Sequence, residues 1–412
     1  MNSSVFNHLL VYRFFAAFAD QLMLFAVPVI IYMQTKSVAM SGIAFFIEWT
    51  PRILSLPLAG SLSDRFGSKS VYLFADAMRA VACVLVFIAI VHFNLDYFVA
   101  LSLFMASSAF LYAQSYISLE ALIPKLADKA SLPKLQSRLQ AIEQGSMISA
   151  PVVGALIIAN AEPINIVIIA GILYFSAFIG ISLIHIPEAK MSVRKNNKKV
   201  IVGILRDFRK AWQIFRIREN LLFLTILSIS INLVFGIGLA TGAALTTGHF
   251  SRTASDFGLL QSITGLLMLL SLLAVPMMLK RVNLFSLGIV SYIVVAVCAF
   301  IIGVSNNFYV YAFCYACIFA LGSWFNIYIR SERALWIPKV HLGKTIGMIV
   351  FLNQLTLPVS GLIVGLSSSE EQVKNVFLAL SLITVIVLIV FFHRLRSTSR
   401  VVAPSPVAAV KS

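Results

Sequence analysis

Twelve apolar runs, each about 20 residues long and nearly free of charge, recur along this chain. A run of that length crosses a bilayer core of roughly 30 Å as a helix. They fall at 9–33, 41–63, 70–91, 97–123, 138–160, 164–186, 221–246, 256–279, 285–303, 308–329, 344–367 and 374–393. Only 12% of the residues are charged and 60% are hydrophobic, whereas soluble proteins carry about 25% charged residues. So few charges leave no water-exposed surface for a soluble fold. The expected class is therefore an all-α integral membrane protein of twelve transmembrane helices. The first run is long enough to span, and no basic segment precedes it, so it reads as a retained span rather than a cleaved signal peptide.

Charge placement orients the spans. Of the 32 Lys and Arg, 26 lie in alternate connecting segments and in the tail, against three (Lys36, Arg252, Lys374) in the other set. The positive-inside rule puts the basic set, and with it both termini, in the cytoplasm. It also accounts for the net charge of +16, which in a soluble chain would have suggested nucleic acid. No nucleic-acid module is present, and none is expected as a partner.

Residues 1–186 form one six-span unit and 221–395 a second, joined by a linker over 187–220, with a cytoplasmic tail over 396–412. In the linker, Ile201, Leu205, Phe208, Trp212 and Phe215 recur at helical spacing among Arg206, Arg209, Lys210 and Arg216. That pattern suits an amphipathic helix on the inner leaflet. The halves also share sequence. Tyr116-Ile-Ser-Leu-Glu120 and Ile123-Pro124-Lys125 are matched by Tyr328-Ile-Arg-Ser-Glu332 and Ile337-Pro338-Lys339, and Pro151-x-x-Gly154 by Pro358-x-x-Gly361. Three matches in one order point to a duplicated unit.

The connection between the second and third spans reads Gly60-Ser-Leu-Ser-Asp64-Arg65-Phe-Gly67-Ser-Lys69. It resembles the cytoplasmic signature of the major facilitator superfamily, G-x-L-x-D-R-x-G-R-K, with Ser68 where the family prefers Arg. The resemblance covers nearly the whole chain and implies two six-helix bundles around a cavity that opens alternately to each side. Asp20 with Phe25-Ala-Val-Pro28, Pro51, Ala75-Asp76-Ala-Met-Arg79-Ala80, and Glu143-Gln144 before Ala150-Pro151 look like the drug/proton antiporter branch, which includes macrolide-type and siderophore exporters. The fourth-span arginine of many facilitator antiporters is missing between Ser107 and Glu120.

Charges at membrane depth are costly and mark function. Asp20 is expected to couple protons, to meet substrate or to make a structural hydrogen bond. Glu48 and Arg52, four apart on one helix face, can pair with each other, or Arg52 can meet an anionic substrate. Asp76 and Arg79 are expected to brace the signature segment. Gly60, Asp64, Arg65, Gly67, Lys69, Arg79, Glu120, Glu143 and Glu332 form the gate set, with Glu120 and Glu332 in salt bridges to nearby Arg. Asn232, Gln261, Asn326, Asn353 and Gln354 supply neutral polar groups in the second half. Cys83, Cys298, Cys314 and Cys317 sit in apolar runs and read as small apolar residues.

The resemblance implies a secondary active transporter that exports a small organic molecule, drug-like or siderophore, in exchange for protons. No enzymatic activity, cofactor or metal site is expected. The expected setting is a monomer in a bacterial inner membrane. A ferroportin-like metal exporter or a lipid transporter is the alternative, and a non-transporting sensor a more distant one. The metal reading lacks ligands, since the residue four beyond Asp20 is Leu24 and spans 7 and 11 carry neither His nor Cys.

Overall fold

A computed structural model describes residues 3–126, 132–184, 219–336 and 342–401. The first half contains α1 (Ser3–Thr35), α2 (Val38–Phe66), α3 (Ser68–Val91), α4 (Tyr97–Leu126), α5 (Leu132–Asn160) and α6 (Asn165–Ser182). The second contains α7 (Glu219–Ala244), which ends in a π turn at Leu245–His249, then α8 (Ala254–Met278), α9 (Leu284–Val304) and α10 (Phe308–Trp336). It closes with α11 (Leu342–Gln354), α12 (Thr356–Gly365) and α13 (Glu370–Val401). α11 and α12 are two pieces of one span, so the described residues form twelve spans. Eleven spans are long and apolar enough to cross a membrane by length and composition. α2 falls short because Glu48, Thr50, Pro51 and Arg52 interrupt its middle.

Side chains with local hydrogen-bonding power set the helix ends. Thr253 and Asp256 form a reciprocal capping box at the start of α8, with N–H to oxygen distances of 2.9 and 3.1 Å. Asn283 accepts from the Ser286 N–H at 2.7 Å to open α9. Such caps satisfy donors that the first turn of a helix leaves unpaired. The break in the eleventh span has a covalent cause. Pro358 has no N–H for the Gln354 carbonyl, and its ring crowds that carbonyl; the helix is interrupted at Leu355.

Within the first half, α2 and α3 pack on α4, and α1 packs on α5 and α6; in the second, α9 packs on α10 and α13, and α7 on α12 and α13. One continuous apolar core runs through both halves. Leu85, Leu103, Phe175, Leu273 and Ile389 point outward and stay exposed, as lipid-facing residues must.

The halves meet on two seams, α5 against α8 and α2 against α12. Both lie toward one end of the bundle, the far end, which carries Lys36, Asn160, Ser251, Asn306 and Ser367. Ser262 donates to the Ile148 carbonyl at 2.5 Å, and Phe25 stacks on Phe257 at 5.6 Å. Tyr32 of α1 donates to Glu370 of α13 at 2.7 Å. The repeated Pro-x-x-Gly motif sits on these seams: Pro151 abuts Gly258, and Gly361 abuts α2. Equivalent sequence therefore occupies equivalent places in the two halves.

The signature segment is more helical than its sequence suggests. α2 continues to Phe66 and α3 begins at Ser68, so the connection is the single residue Gly67. Its φ of 89° is one that glycine adopts without steric cost. The expected linker helix, the tail beyond Val401, the surroundings of Gly60 and the side chain of Asp64 lie outside what is described.

Candidate functional site

The deepest charges of the first half converge on Arg79. This side chain on α3 is fully buried and bonds Asp20 of α1 and Asp76 of its own helix. Its fork also reaches Ser115 of α4 at 3.2 Å, and Ser115 donates to Asp76 at 3.3 Å. Tyr174 of α6 donates to Asp20 at 2.8 Å, and the guanidinium lies 4.5 Å from the Tyr174 ring centre. One polar knot thus ties four helices together. Two carboxylates share one guanidinium, and Asp20 Oδ2, Asp76 Oδ2 and Arg79 Nε keep no hydrogen-bond partner. Asp76 and Arg79, expected to brace the signature segment, reach across to α1 and α4, while the Asp64 side chain lies outside the described residues. Local i, i+3 geometry aligned them, but the partners are 59 and 36 residues from Arg79.

A second, separate pair lies nearer the chain's N-terminal face of the bundle. Arg13 of α1 donates to Glu143 of α5 at 3.1 Å. Glu143 therefore joins two helices of its own half.

Glu48 and Arg52 of α2 share a small cavity with Asp20, Met23, Leu24, Met105, Ser108, Ala109, Tyr112 and Tyr174. Its water-accessible space is about 30 Å³. The expected Glu48–Arg52 ion pair is not made. Arg52 instead lies 3.8 Å from the ring centre of Tyr112 and 4.5 Å from that of Trp49. A guanidinium over an aromatic face gains electrostatic attraction that strengthens on desolvation, and here two rings compete with one carboxylate. Glu48, only 4% exposed, makes no hydrogen bond or ion pair among the described residues. Arg52 likewise donates no side-chain hydrogen bond among the described residues.

The gate set divides. Lys69 donates to the carbonyls of Ser182 and Ile184 at 3.0 and 2.6 Å, closing the C-terminal end of α6. Arg65 is exposed, its guanidinium 5.2 Å from the Phe66 ring centre. Glu120 is exposed near the end of α4 and forms no ion pair among the described residues, so the expected gate bridge is not made there. Glu332 is half-buried near the end of α10. Asn232, Gln261, Asn326, Asn353 and Gln354 are half-buried and stand apart from the Glu48 cavity. Asn353 and Gln354 end α11 at the break. Among the described residues no group of three His, Cys, Asp or Glu is placed to hold a metal ion, and all four cysteines are free.

Tyr112, Tyr174, Ser115 and Arg13 are site residues that sequence reading passed over. Tyr112 and Tyr116 at i, i+4 on α4 offered one faint signal; the others lie too far along the chain from their partners to be paired by pattern.

Twelve spans in two joined halves, with ionisable groups gathered inside one half, define a polytopic helical protein with a transporter fold. The Major Facilitator Superfamily model matches residues 9–331, and the chain belongs to that family. No curated protein matches the sequence. Among solved structures, a point mutant of the nucleoside transporter NupG is similar at a TM-score of 0.76 and 15% identity, covering 94% of this chain and 99% of its own. A bacterial homologue of the iron transporter ferroportin, in an inward-facing state, gives 0.73 and 18%, covering 94% and 98%. A POT family transporter with 5-aminolevulinic acid gives 0.69 and 12%, covering 94% and 95%. Identities this low carry the fold alone.

Proposed function

We propose that the protein is a secondary active transporter that exports a small organic molecule in exchange for protons by alternating access. The observation that carries this reading is Glu48. It is a buried carboxylate on a cavity wall, with no ion pair, in a half where Asp20, Asp76 and Glu143 are all paired. A group that gains and loses a proton during a cycle needs such a position, reachable from a cavity and not locked in an ion pair. Asp20, the sequence's first candidate, is held by Arg79 and Tyr174 and serves the knot. The charged and titratable groups around Glu48 are Arg52 on its own helix, Asp20 of α1, Tyr112 of α4 and Tyr174 of α6; Asp76 and Arg79 of α3 stand behind Asp20. Drug-like compounds and siderophores remain the substrates that the resemblance implies. The cavity wall holds no His or Cys, only the thioethers of Met23 and Met105, as soft ligands for a metal.

The basic-rich loops support a far end that lies outside the cell. The closed seams then face outward, which supports an inward-facing arrangement.

The test uses inverted membrane vesicles energised to an acidic interior and reported by a quenched pH dye. A macrolide, a catecholate siderophore, a nucleoside and a dipeptide are added in turn. At least one should release the quench with the wild-type protein and none with Glu48→Gln. Equal release by the variant, or substrate movement without proton flux, would refute the assignment.

A further inference from the structure

Resting on the transporter reading, we infer that the substrate presents a zwitterionic head group, an ammonium and a carboxylate close together as in an amino acid, to Glu48 and Arg52. The two side chains leave α2 one turn apart, about 6 Å along the axis at 1.5 Å per residue. Both line the same cavity, and no ion pair joins them. Arg52 spends its flat face on Tyr112, 3.8 Å away, which leaves the N–H edge of the guanidinium unengaged by protein. That edge is a planar fork suited to a carboxylate. Glu48 has two acceptor oxygens and no donor, which suits an ammonium.

Burying two opposite charges side by side without pairing them is expensive. A ligand that supplies both complements repays the cost in one binding event. A purely cationic ligand would leave Arg52 unmatched, and a purely anionic one would leave Glu48 unmatched. The zwitterion also fits the exchange. Its ammonium takes the place of the proton on Glu48, so substrate and proton compete for one carboxylate, while the carboxylate on Arg52 holds the head in register. Met23, Leu24, Met105 and Ala109 form the apolar part of the wall, which favours an uncharged, apolar side chain beyond the head. With about 30 Å³ of open space, the cavity takes the head group rather than a whole molecule.

The experiment is calorimetric binding to the purified full chain in detergent, using phenylalanine, phenethylamine (no carboxylate) and 3-phenylpropionate (no ammonium). Phenylalanine should bind at least about tenfold more tightly than either relative. Arg52→Gln should lower phenylalanine affinity to that of phenethylamine and leave phenethylamine unchanged, a selective loss that misfolding would not produce. Arg52→Lys, which keeps the charge but not the fork, should recover part of it. Phenethylamine or 3-phenylpropionate binding as tightly as phenylalanine, or no binding of any of the three, overturns the inference. Phenylalanine binding that releases no proton would uphold the docking and overturn only the coupling role of Glu48.

Discussion

At the residue scale the chain holds two kinds of buried charge, one fixed and one free. Arg79 is the fixed kind. It satisfies Asp20, Asp76 and Ser115 at once, so removing it strands two carboxylates in a dry interior. Breaking a buried ion pair by deleting one partner costs about 3–5 kcal/mol. Arg79→Gln should therefore lower the thermal unfolding temperature of the detergent-solubilised protein sharply. Asp76→Asn should cost much less, because it leaves one carboxylate for one guanidinium. If the two variants melt together, the knot is not what holds α1, α3, α4 and α6. Function separates Asp20 from Glu48: Asp20→Asn, which also leaves one carboxylate for Arg79, should keep the proton response of vesicles at a stability cost as small as that of Asp76→Asn, and Glu48→Gln should lose the proton response. The sequence marked these residues because charge is rare at depth. It could not say which pairs form. Glu48 and Arg52 had the right spacing to meet, yet Tyr112, 60 residues on from Arg52 in a different helix, draws the guanidinium away. Pairings across helices depend on rotation and depth, which hydropathy does not encode.

At the scale of elements, helix number and extent were legible because bilayer thickness sets a length and apolar composition fills it. The interruption of the eleventh span was not legible, because its covalent cause is shared by prolines that interrupt nothing. Pro358 breaks its span at Leu355, whereas Pro28, Pro151 and Pro276 lie inside continuous helices. The π turn after Ala244 had no comparable signal. The small residues repeated in the two halves became meaningful only as seams. A Cβ added at Gly361 would lie 2.6 Å from the Phe46 backbone nitrogen and 2.9 Å from the Gly42 carbonyl oxygen. Backbone cannot yield as a side-chain tip does, so overpacking must part α12 from α2. Gly361→Val should thus open the far end. Spin labels replacing Phe93 and Tyr309, exposed on the far rims of the first and second halves, should show a longer distance distribution in the variant. An unchanged distribution would mean that this seam does not hold the far end closed.

At the scale of the whole molecule the question is which way the closed end faces, and the bundle alone does not answer it. The far-end seams define one sealed face, built from Phe25 on Phe257, Ser262 on Ile148 and Tyr32 on Glu370. Orientation comes from the loops. The 26 basic residues on one side against three on the other resist translocation of the segments that carry them. The linker over 187–220 alone holds ten of them, and a loop so basic is retained on the cytoplasmic side. Under the proposed orientation the sealed face is external, and the Glu48 cavity belongs to a state that loads from inside, as the proposed export requires. Reporter fusions decide this directly. An alkaline phosphatase fusion after Asn160 or Asn306 should be active, and one after Lys199 or Arg400 should be silent; a green fluorescent reporter at the same four sites should give the opposite pattern. Phosphatase activity after Lys199 would invert the molecule, turn the sealed face toward the cytoplasm and make the structure the outward-loading state, which fits uptake and not export. Activity at only one of Asn160 and Asn306 would instead break the parallel relation of the two six-span halves, because the duplicated Pro-x-x-Gly helices would then cross the membrane in opposite directions.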